Sequence, residues 1–110
     1  MKEFKEVKEL FNEREWTREG TKFYHEQVYN NGKAYIYAVG FKKGECLWYE
    51  VFKRKVAPNI KNVDGKLVSD DENGVVKYPS NDAFGKWARN CQTFEQAMQY
   101  AKEWSRNAGM

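Results

Sequence analysis

The sequence predicts an α+β fold in which helices cover one face of a three-stranded antiparallel sheet. Nine of the eighteen aromatic residues lie within residues 21–56. Two turn signals, at 30–33 and 42–45, divide that stretch into three runs rich in β-branched and aromatic residues. Apolar residues recur at helical spacing before and after it. We therefore predict the order helix, antiparallel meander, one or two short strands, helix.

The first element is predicted as an amphipathic helix over residues 2–16. Four apolar residues recur there at helical spacing, and Lys and Glu fill most of the remaining positions. Gly20 is placed to end this helix and release the chain into the first strand.

The three runs of the meander, at 21–29, 34–41 and 46–52, predict strands joined by two-residue loops. That register places Val28 opposite Tyr35, and Val39 opposite both Tyr24 and Trp48. One face is then aromatic, with the members Tyr24, Val28, Tyr35, Tyr37, Val39, Phe41, Trp48 and Phe52. The other face mixes small and aliphatic residues, with the members Phe23, Tyr29, Ala34, Ile36, Ala38, Gly40, Leu47, Tyr49 and Val51.

The rest of the chain predicts smaller elements. Residues 57–74 are polar and form either an irregular excursion or an accessory hairpin closed by Asp64 and Gly65. Residues 75–91 predict short strands and a turn, with 86–91 interpreted as the last strand. Thr93 and Gln96 form a capping box that opens a helix over 93–107. We expect a single domain over residues 1–110, a length that suffices for a core.

The available chemistry argues against an enzyme. His25 is the only histidine, and on a strand it is typical of a cross-strand partner. His and Cys together number three, with no CxxC pair, so we expect no zinc site, and residues 70–74 lack the spacing of a calcium loop. No Gly-rich phosphate loop is present. We therefore expect no catalytic residue, no metal and no cofactor.

The composition limits where the protein is expected to act and what it is expected to bind. No apolar run approaches the roughly 20 residues that span a bilayer, so we expect a cytoplasmic protein without a membrane role. Cys46 and Cys91 are then expected to be free thiols. The net charge of +3 is lower than that of a dedicated DNA-binding domain.

Residues 49–54, 78–80 and 84–88 resemble small uncharacterised proteins of phages and other mobile elements. The Tyr-Pro pair at 78–79 and the Phe-Gly-Lys-Trp-Ala run carry this resemblance. It covers less than half of the chain and implies no activity and no functional residue. The order helix, meander, helix also looks like a double-stranded-RNA-binding domain, but Thr93-Phe94-Glu95-Gln96 replaces the basic cluster expected there.

Two functional hypotheses follow. The first is a non-catalytic interaction or accessory protein, phage-like, that binds a host protein as a monomer or weak dimer. The second is single-stranded nucleic-acid binding, in which exposed rings stack on bases and cations contact phosphates. The candidate surface for either partner comprises Tyr35, Tyr37, Trp48, Lys42, Lys43, Lys53, Arg54 and Lys55. The alternative is that the aromatic face is simply core, which would leave Tyr29, Tyr49 and His25 exposed.

Overall fold

The computed structural model describes residues 4–108, and the fold they form is mainly β. The predicted α+β class is wrong, because eight strands and one α-helix make up these residues. The strands are β1 Glu6–Lys8, β2 Glu13–Arg18, β3 Thr21–Asn30, β4 Ala34–Gly40, β5 Trp48–Lys53, β6 Val56–Val63, β7 Lys66–Val76 and β8 Ala88–Cys91. A single 3₁₀ turn, Asn81–Ala83, precedes β8, and the helix α1 spans Phe94–Ala108.

The predicted N-terminal helix is wrong for the residues that the structure describes. Residues 2 and 3 lie outside them, and the rest of 2–16 contributes β1 and most of β2. The apolar spacing near Phe4 fits a helix, but residues 13–18 pair with β3 as an edge strand and place Arg14, Trp16 and Arg18 at every second position. Pairing of β2 with β3 thus outweighs the helical preference of the Lys and Glu residues.

The chain divides into two compact units. Residues 4–10 and 55–78 form what we call the hairpin unit, and residues 11–54 and 79–108 form the sheet–helix unit. The sheet–helix unit contains a five-stranded sheet of order β2-β3-β4-β5-β8, in which every neighbouring pair is antiparallel. Glu19 and Gly20, both at positive φ, form the tight turn between β2 and β3, so Gly20 joins two strands rather than ending a helix.

The register of the meander is confirmed on one side and wrong on the other. Val39 pairs with Trp48 as predicted. Tyr24 pairs with Gly40, however, and His25 takes the place opposite Val39. At the β3–β4 loop Asn30 pairs with Tyr35, two residues beyond its predicted partner, and the Asn31 side chain accepts hydrogen bonds from two backbone N–H groups of this loop (2.8 and 2.9 Å). A bulge at Val28 then shifts the pairing once more.

Helix α1 covers the small-residue face of this sheet. Its Ala97 and Ala101 are fully buried, and together with Ala34, Ile36 and Val51 they belong to one apolar cluster. Small residues on both partners allow the helix to approach the strands closely. The capping box is confirmed: the Gln96 N–H donates to Thr93 Oγ1 (3.2 Å), and Gln96 Oε1 accepts from the Thr93 N–H (3.4 Å).

Part of the aromatic face is a second core. Tyr37 is fully buried, and its ring stacks on Phe52 at a centroid distance of 5.7 Å and tilts against Phe11 at 5.1 Å. Its hydroxyl donates to the Phe11 carbonyl (2.5 Å) and accepts from Gln27 (2.9 Å). Phe52 also meets the edge of Trp87. The sheet is therefore packed on both faces around Tyr37.

The hairpin unit is a three-stranded sheet of order β1-β7-β6, with β1 parallel to β7. Of the two alternatives for residues 57–74, the structure has the hairpin, and Asp64 and Gly65 at positive φ form its turn. Hydrogen bonds from the Asn73 side chain and the Glu72 N–H, with nearby Lys61, lower the pKa of Asp70 to about 2.

No helix among residues 4–108 is long and apolar enough to cross a membrane.

Candidate binding surface

The structure does not bring the eight predicted surface residues together. Tyr35 and Tyr37 are 1% and 0% exposed, so neither ring is available to a partner in this conformation. Trp48 is half-buried on the same face, whereas Lys42 and Lys43 are exposed in the β4–β5 loop.

Lys53 at the end of β5 and Arg54 directly after it point to different places. Lys53 lies on the helix side, with its Nζ 5.7 Å from the centroid of the Trp104 ring. Arg54 is half-buried and donates to the Tyr35 hydroxyl (3.3 Å). Lys55 belongs to the hairpin unit. These three side chains therefore form no common basic patch within the sheet–helix unit.

A different group of residues forms a surface at the other end of the aromatic face. It combines arginines from the edge strand β2 with rings from β2, β3, the β4–β5 loop and β5. We call it the Arg–aromatic surface, and its members are Arg14, Trp16, Arg18, Phe23, Phe41 and Trp48. The register explains the grouping, since residues paired across antiparallel strands share a face: Trp16 pairs with Phe23.

The rings of this surface contact one another. Phe41 is 57% exposed and stacks on Phe23 at a centroid distance of 5.6 Å. Phe23 in turn meets Trp48 edge-on at 5.5 Å. Phe41 is therefore an exposed ring that belongs to a contiguous cluster of rings, which distinguishes it from a singly exposed apolar residue.

Two guanidinium groups lie over the Trp16 ring. The Cζ atoms of Arg14 and Arg18 are 5.1 and 5.3 Å from its centroid. Such cation–π contacts follow from the strand period of two, which places residues 14, 16 and 18 on the same face of β2. The strand therefore presents arginine, tryptophan and arginine side by side.

A buried carboxylate supports this surface from below. Glu50 is 1% exposed, and its Oε2 accepts a hydrogen bond from the Trp48 indole (2.9 Å). The Arg18 guanidinium donates to both carboxylate oxygens at 3.4 Å. An open depression of about 420 Å³ borders this pair and is lined by Arg18, Trp48, Glu50, Asn90, Cys91 and Gln92. Glu50 thus fixes both the indole and the guanidinium in place.

His25 lies in the same layer and is completely buried. Its ring is 5.5 Å from that of Trp16. Burial lowers the pKa of His25 below its ordinary value, and the charges of Arg18 and Arg14 lower it further against the opposing effect of Glu50. The imidazole is therefore favoured in its neutral form. It belongs to the interior and not to the exposed set that the core alternative predicts.

The opposite face of β2 is acidic. Glu13 and Glu15 lie there, and Glu13 forms an ion pair with Lys43 (3.4 Å). A hydrogen bond from Tyr24 and the charge of Lys43 lower the pKa of Glu13, while the same hydrogen bond raises the pKa of Tyr24 to about 12. The edge strand therefore has a basic face and an acidic face.

The predicted candidate surface missed five members of the Arg–aromatic surface: Arg14, Trp16, Arg18, Phe23 and Phe41. The helix prediction concealed the first two, and the one-residue error in register placed Phe23 on the wrong face. The signal that could have found the three β2 members is the placement of Arg14, Trp16 and Arg18 at every second residue, which puts them on one face of a strand. No group of three or more His, Cys, Asp or Glu that could hold a metal ion occurs among the described residues.

Comparison with known proteins gives no relative. No protein-family model, no curated protein and no solved structure matches this chain.

Proposed function

We propose that this chain is a non-catalytic binding module that engages a protein partner through the Arg–aromatic surface. The observation that carries the proposal is Phe41, a phenylalanine that is 57% exposed and stacked on a ring cluster instead of packed beneath one. Trp and Arg dominate the energetic centres of protein interfaces, and aromatic residues are enriched there. Trp16, Trp48 and Arg18 supply these side chains next to Phe41.

The charge balance favours a protein over a nucleic acid. Arg18 is already paired with Glu50, which leaves Arg14 as the member of the surface whose charge is exposed. Binding to phosphates depends on several uncompensated cations along one path. A protein interface needs only a few well-placed aromatic and arginine residues.

Single-stranded nucleic-acid binding is the second candidate. It is favoured by Lys42 and Lys43, which directly follow the exposed Phe41 ring. A base stacked on Phe41 would place its phosphates near these cations.

We further propose that the partner is a host protein met in the cytoplasm, in keeping with the resemblance to small phage proteins and with the free thiols of Cys46 and Cys91.

The test compares two exposed apolar residues of one loop. Phe41→Ala removes the stacked ring, whereas Leu47→Ala removes a side chain of similar exposure (46%). Leu47 precedes Trp48, which lies on the Arg–aromatic face, so by strand alternation Leu47 serves as the control on the other side. Immobilised wild type and both variants are used to capture proteins from cells of the native source, and any captured protein is purified and titrated by calorimetry.

We expect a partner that binds wild type and Leu47→Ala with equal affinity and binds Phe41→Ala at least about tenfold more weakly. Equal binding to all three proteins would reject the proposal. A labelled 20-nucleotide single strand is titrated in parallel at low and high salt. Saturable binding that depends on Phe41 and falls steeply with salt would establish the second candidate instead.

A further inference from the structure

Strand β2 is an edge of the five-stranded sheet. It pairs with β3 on one side, from Glu13–Glu26 to Arg18–Thr21, and no strand among residues 4–108 lies on its other side. An edge strand offers backbone N–H and C=O groups to a further strand. The same strand carries half of the Arg–aromatic surface, so a segment that pairs with β2 would also reach that surface.

The hydrogen-bond phase of β2 shows which residues face outward. The Gln27 N–H donates to the Asn12 carbonyl (2.7 Å), so these residues form a hydrogen-bonded pair. Hydrogen-bonded and non-hydrogen-bonded pairs alternate along an antiparallel ladder. Arg14, Trp16 and Arg18 therefore bond inward to β3, and the backbone groups of Glu13, Glu15 and Thr17 point to the open edge.

The side chains of β2 give that edge a charge pattern. One face reads arginine, tryptophan, arginine at 14, 16 and 18, and the other carries glutamates at 13 and 15. A strand added to this edge places one side chain opposite each of these. The complementary strand has acidic residues opposite the arginines, a large apolar residue opposite Trp16, and basic residues opposite the glutamates.

A second copy of this chain does not fit the pattern. Antiparallel pairing of two β2 strands with matching faces puts either Arg14 opposite Arg18 or Glu15 opposite Glu15. Like charges directly opposite each other destabilise a sheet. The charges of β2 thus oppose self-association and leave the edge to a different protein.

We propose that the protein partner of this module binds by strand addition: an extended segment with alternating acidic residues around a large apolar residue pairs antiparallel with the open edge of β2. The inference rests on the proposed function, because the same partner would cover the Arg–aromatic surface. Main-chain hydrogen bonds to Glu13, Glu15 and Thr17 supply affinity, and Arg14 and Trp16 supply most of the specificity, because the charge of Arg18 is already paired with Glu50.

Two peptides of identical composition test the charge pattern. The first has the core Glu-Lys-Phe-Lys-Glu and the second Lys-Glu-Phe-Glu-Lys, each flanked by Ser-Gly. Both cores read the same in either direction and have no net charge, so they differ only in which face carries which charge. Each is titrated into the ¹⁵N-labelled full chain, and amide shifts of residues 13–18 are followed by NMR.

We expect the first peptide to bind at least about fivefold more tightly, with shifts confined to β2 and its neighbours. Arg14→Glu should remove this preference, and a first peptide with Lys in place of the Glu opposite residue 14 should restore binding to that variant. Rescue of this kind shows direct pairing, because a change in the peptide could not restore binding to a variant that fails to fold. Equal binding of both peptides to wild type would overturn the proposal.

Backbone methylation separates strand addition from contact between side chains. In antiparallel pairing the two lysine amides of the first peptide face Glu15 and Thr17, while the phenylalanine amide faces away. N-methylation of both lysines should abolish binding, and N-methylation of the phenylalanine should leave it. Equal binding of all three peptides would exclude strand addition, whereas a dependence of partner capture on Phe41 would still support the proposed function. If the labelled 20-nucleotide single strand displaces the first peptide from the edge of β2, the inference is overturned in favour of nucleic-acid binding.

Discussion

Glu50 shows how a single buried charge organises its surroundings. It lies on a central strand, where a carboxylate is costly to desolvate unless it is paired and hydrogen-bonded. The Trp48 indole and the Arg18 guanidinium provide those bonds, and both belong to the Arg–aromatic surface. The position of that surface therefore depends on a carboxylate that is itself buried.

Replacement of Arg18 by Met should lower the free energy of unfolding by about 3 kcal/mol, because Glu50 is left buried without its charge partner. Arg14→Met is the matched control on the same face of β2. Arg14 is exposed and contributes only its cation–π contacts, so this change should cost less than about 1 kcal/mol. Urea denaturation of both variants measures the difference, and equal losses would contradict the role given to Glu50.

His25 should make stability depend on pH near neutrality. Its pKa is lowered in the folded state, so the unfolded chain takes up a proton first and stability falls as pH drops through the ordinary value of about 6.5. His25 is the only histidine, which isolates its contribution. We expect the free energy of unfolding to decrease between about pH 7.5 and pH 5.5 in the wild type, and much less in His25→Gln. A slope that is the same in both proteins would contradict this.

Tyr37 and Phe41 are two rings of one strand region with opposite roles. Tyr37→Ala empties a core position and should cost about 3–5 kcal/mol of stability. Phe41→Ala should cost less than about 1 kcal/mol, because the ring is mostly exposed. Thermal and urea unfolding check both values. A large loss of stability in Phe41→Ala would return that ring to the core.

At the scale of the element, helix α1 depends on its first turn. Thr93→Ala removes the side chain that accepts the Gln96 N–H and should lower stability by about 1 kcal/mol. Ser80→Ala is the matched control, since Ser80 occupies the corresponding position before the 3₁₀ turn but makes no capping bond with its side chain. That change should alter stability by less than about 0.5 kcal/mol. Equal effects in the two variants would show that the cap contributes little.

The elements that the sequence predicts correctly carry strong local signals. β3, β4 and β5 follow from aromatic and β-branched runs between turns, and α1 follows from its capping box and apolar period. The sequence of β2 did not reveal a strand, because its strand structure depends on pairing with β3 more than on its own composition. The register error comes from the bulge at Val28, which shifts the pairing of β3 with β4 by one residue and so exchanges the faces of β3, an irregularity that the Asn-Gly turn signal does not reveal.

The candidate surface was predictable only in its type. Aromatic and basic residues do share one sheet face, but of the predicted residues only Trp48 belongs to the Arg–aromatic surface. Which rings are exposed depends on what packs over each end of the face, and Phe11 and Trp87 cover Tyr37 and Phe52 from segments distant in the chain. Spacing within a strand cannot reveal such coverage.

At the scale of the molecule, the turn of β6 and β7 should accept added residues. Insertion of a six-residue Gly-Ser linker between Asp64 and Gly65 should leave the NMR signals of the sheet–helix unit unchanged, because lengthening a surface loop costs little entropy. The same insertion between Asn31 and Gly32 is the control. There it separates Asn31 from the backbone groups it bonds, and it should lower stability by at least about 1 kcal/mol. Similar losses at both sites would contradict this difference.

The parallel pairing of β1 with β7 has a consequence for the order of folding. β1 is synthesised before the meander, whereas its partner β7 is synthesised only after it. The meander pairs neighbours in the chain, whereas β1 must close a loop that contains all of β2 to β6, so its contacts form late. We expect the amide of Val7 to be the last to gain protection in a pulsed hydrogen-exchange refolding experiment. A nascent chain that is stalled before β7 would then present β1 to chaperones as an unpaired strand.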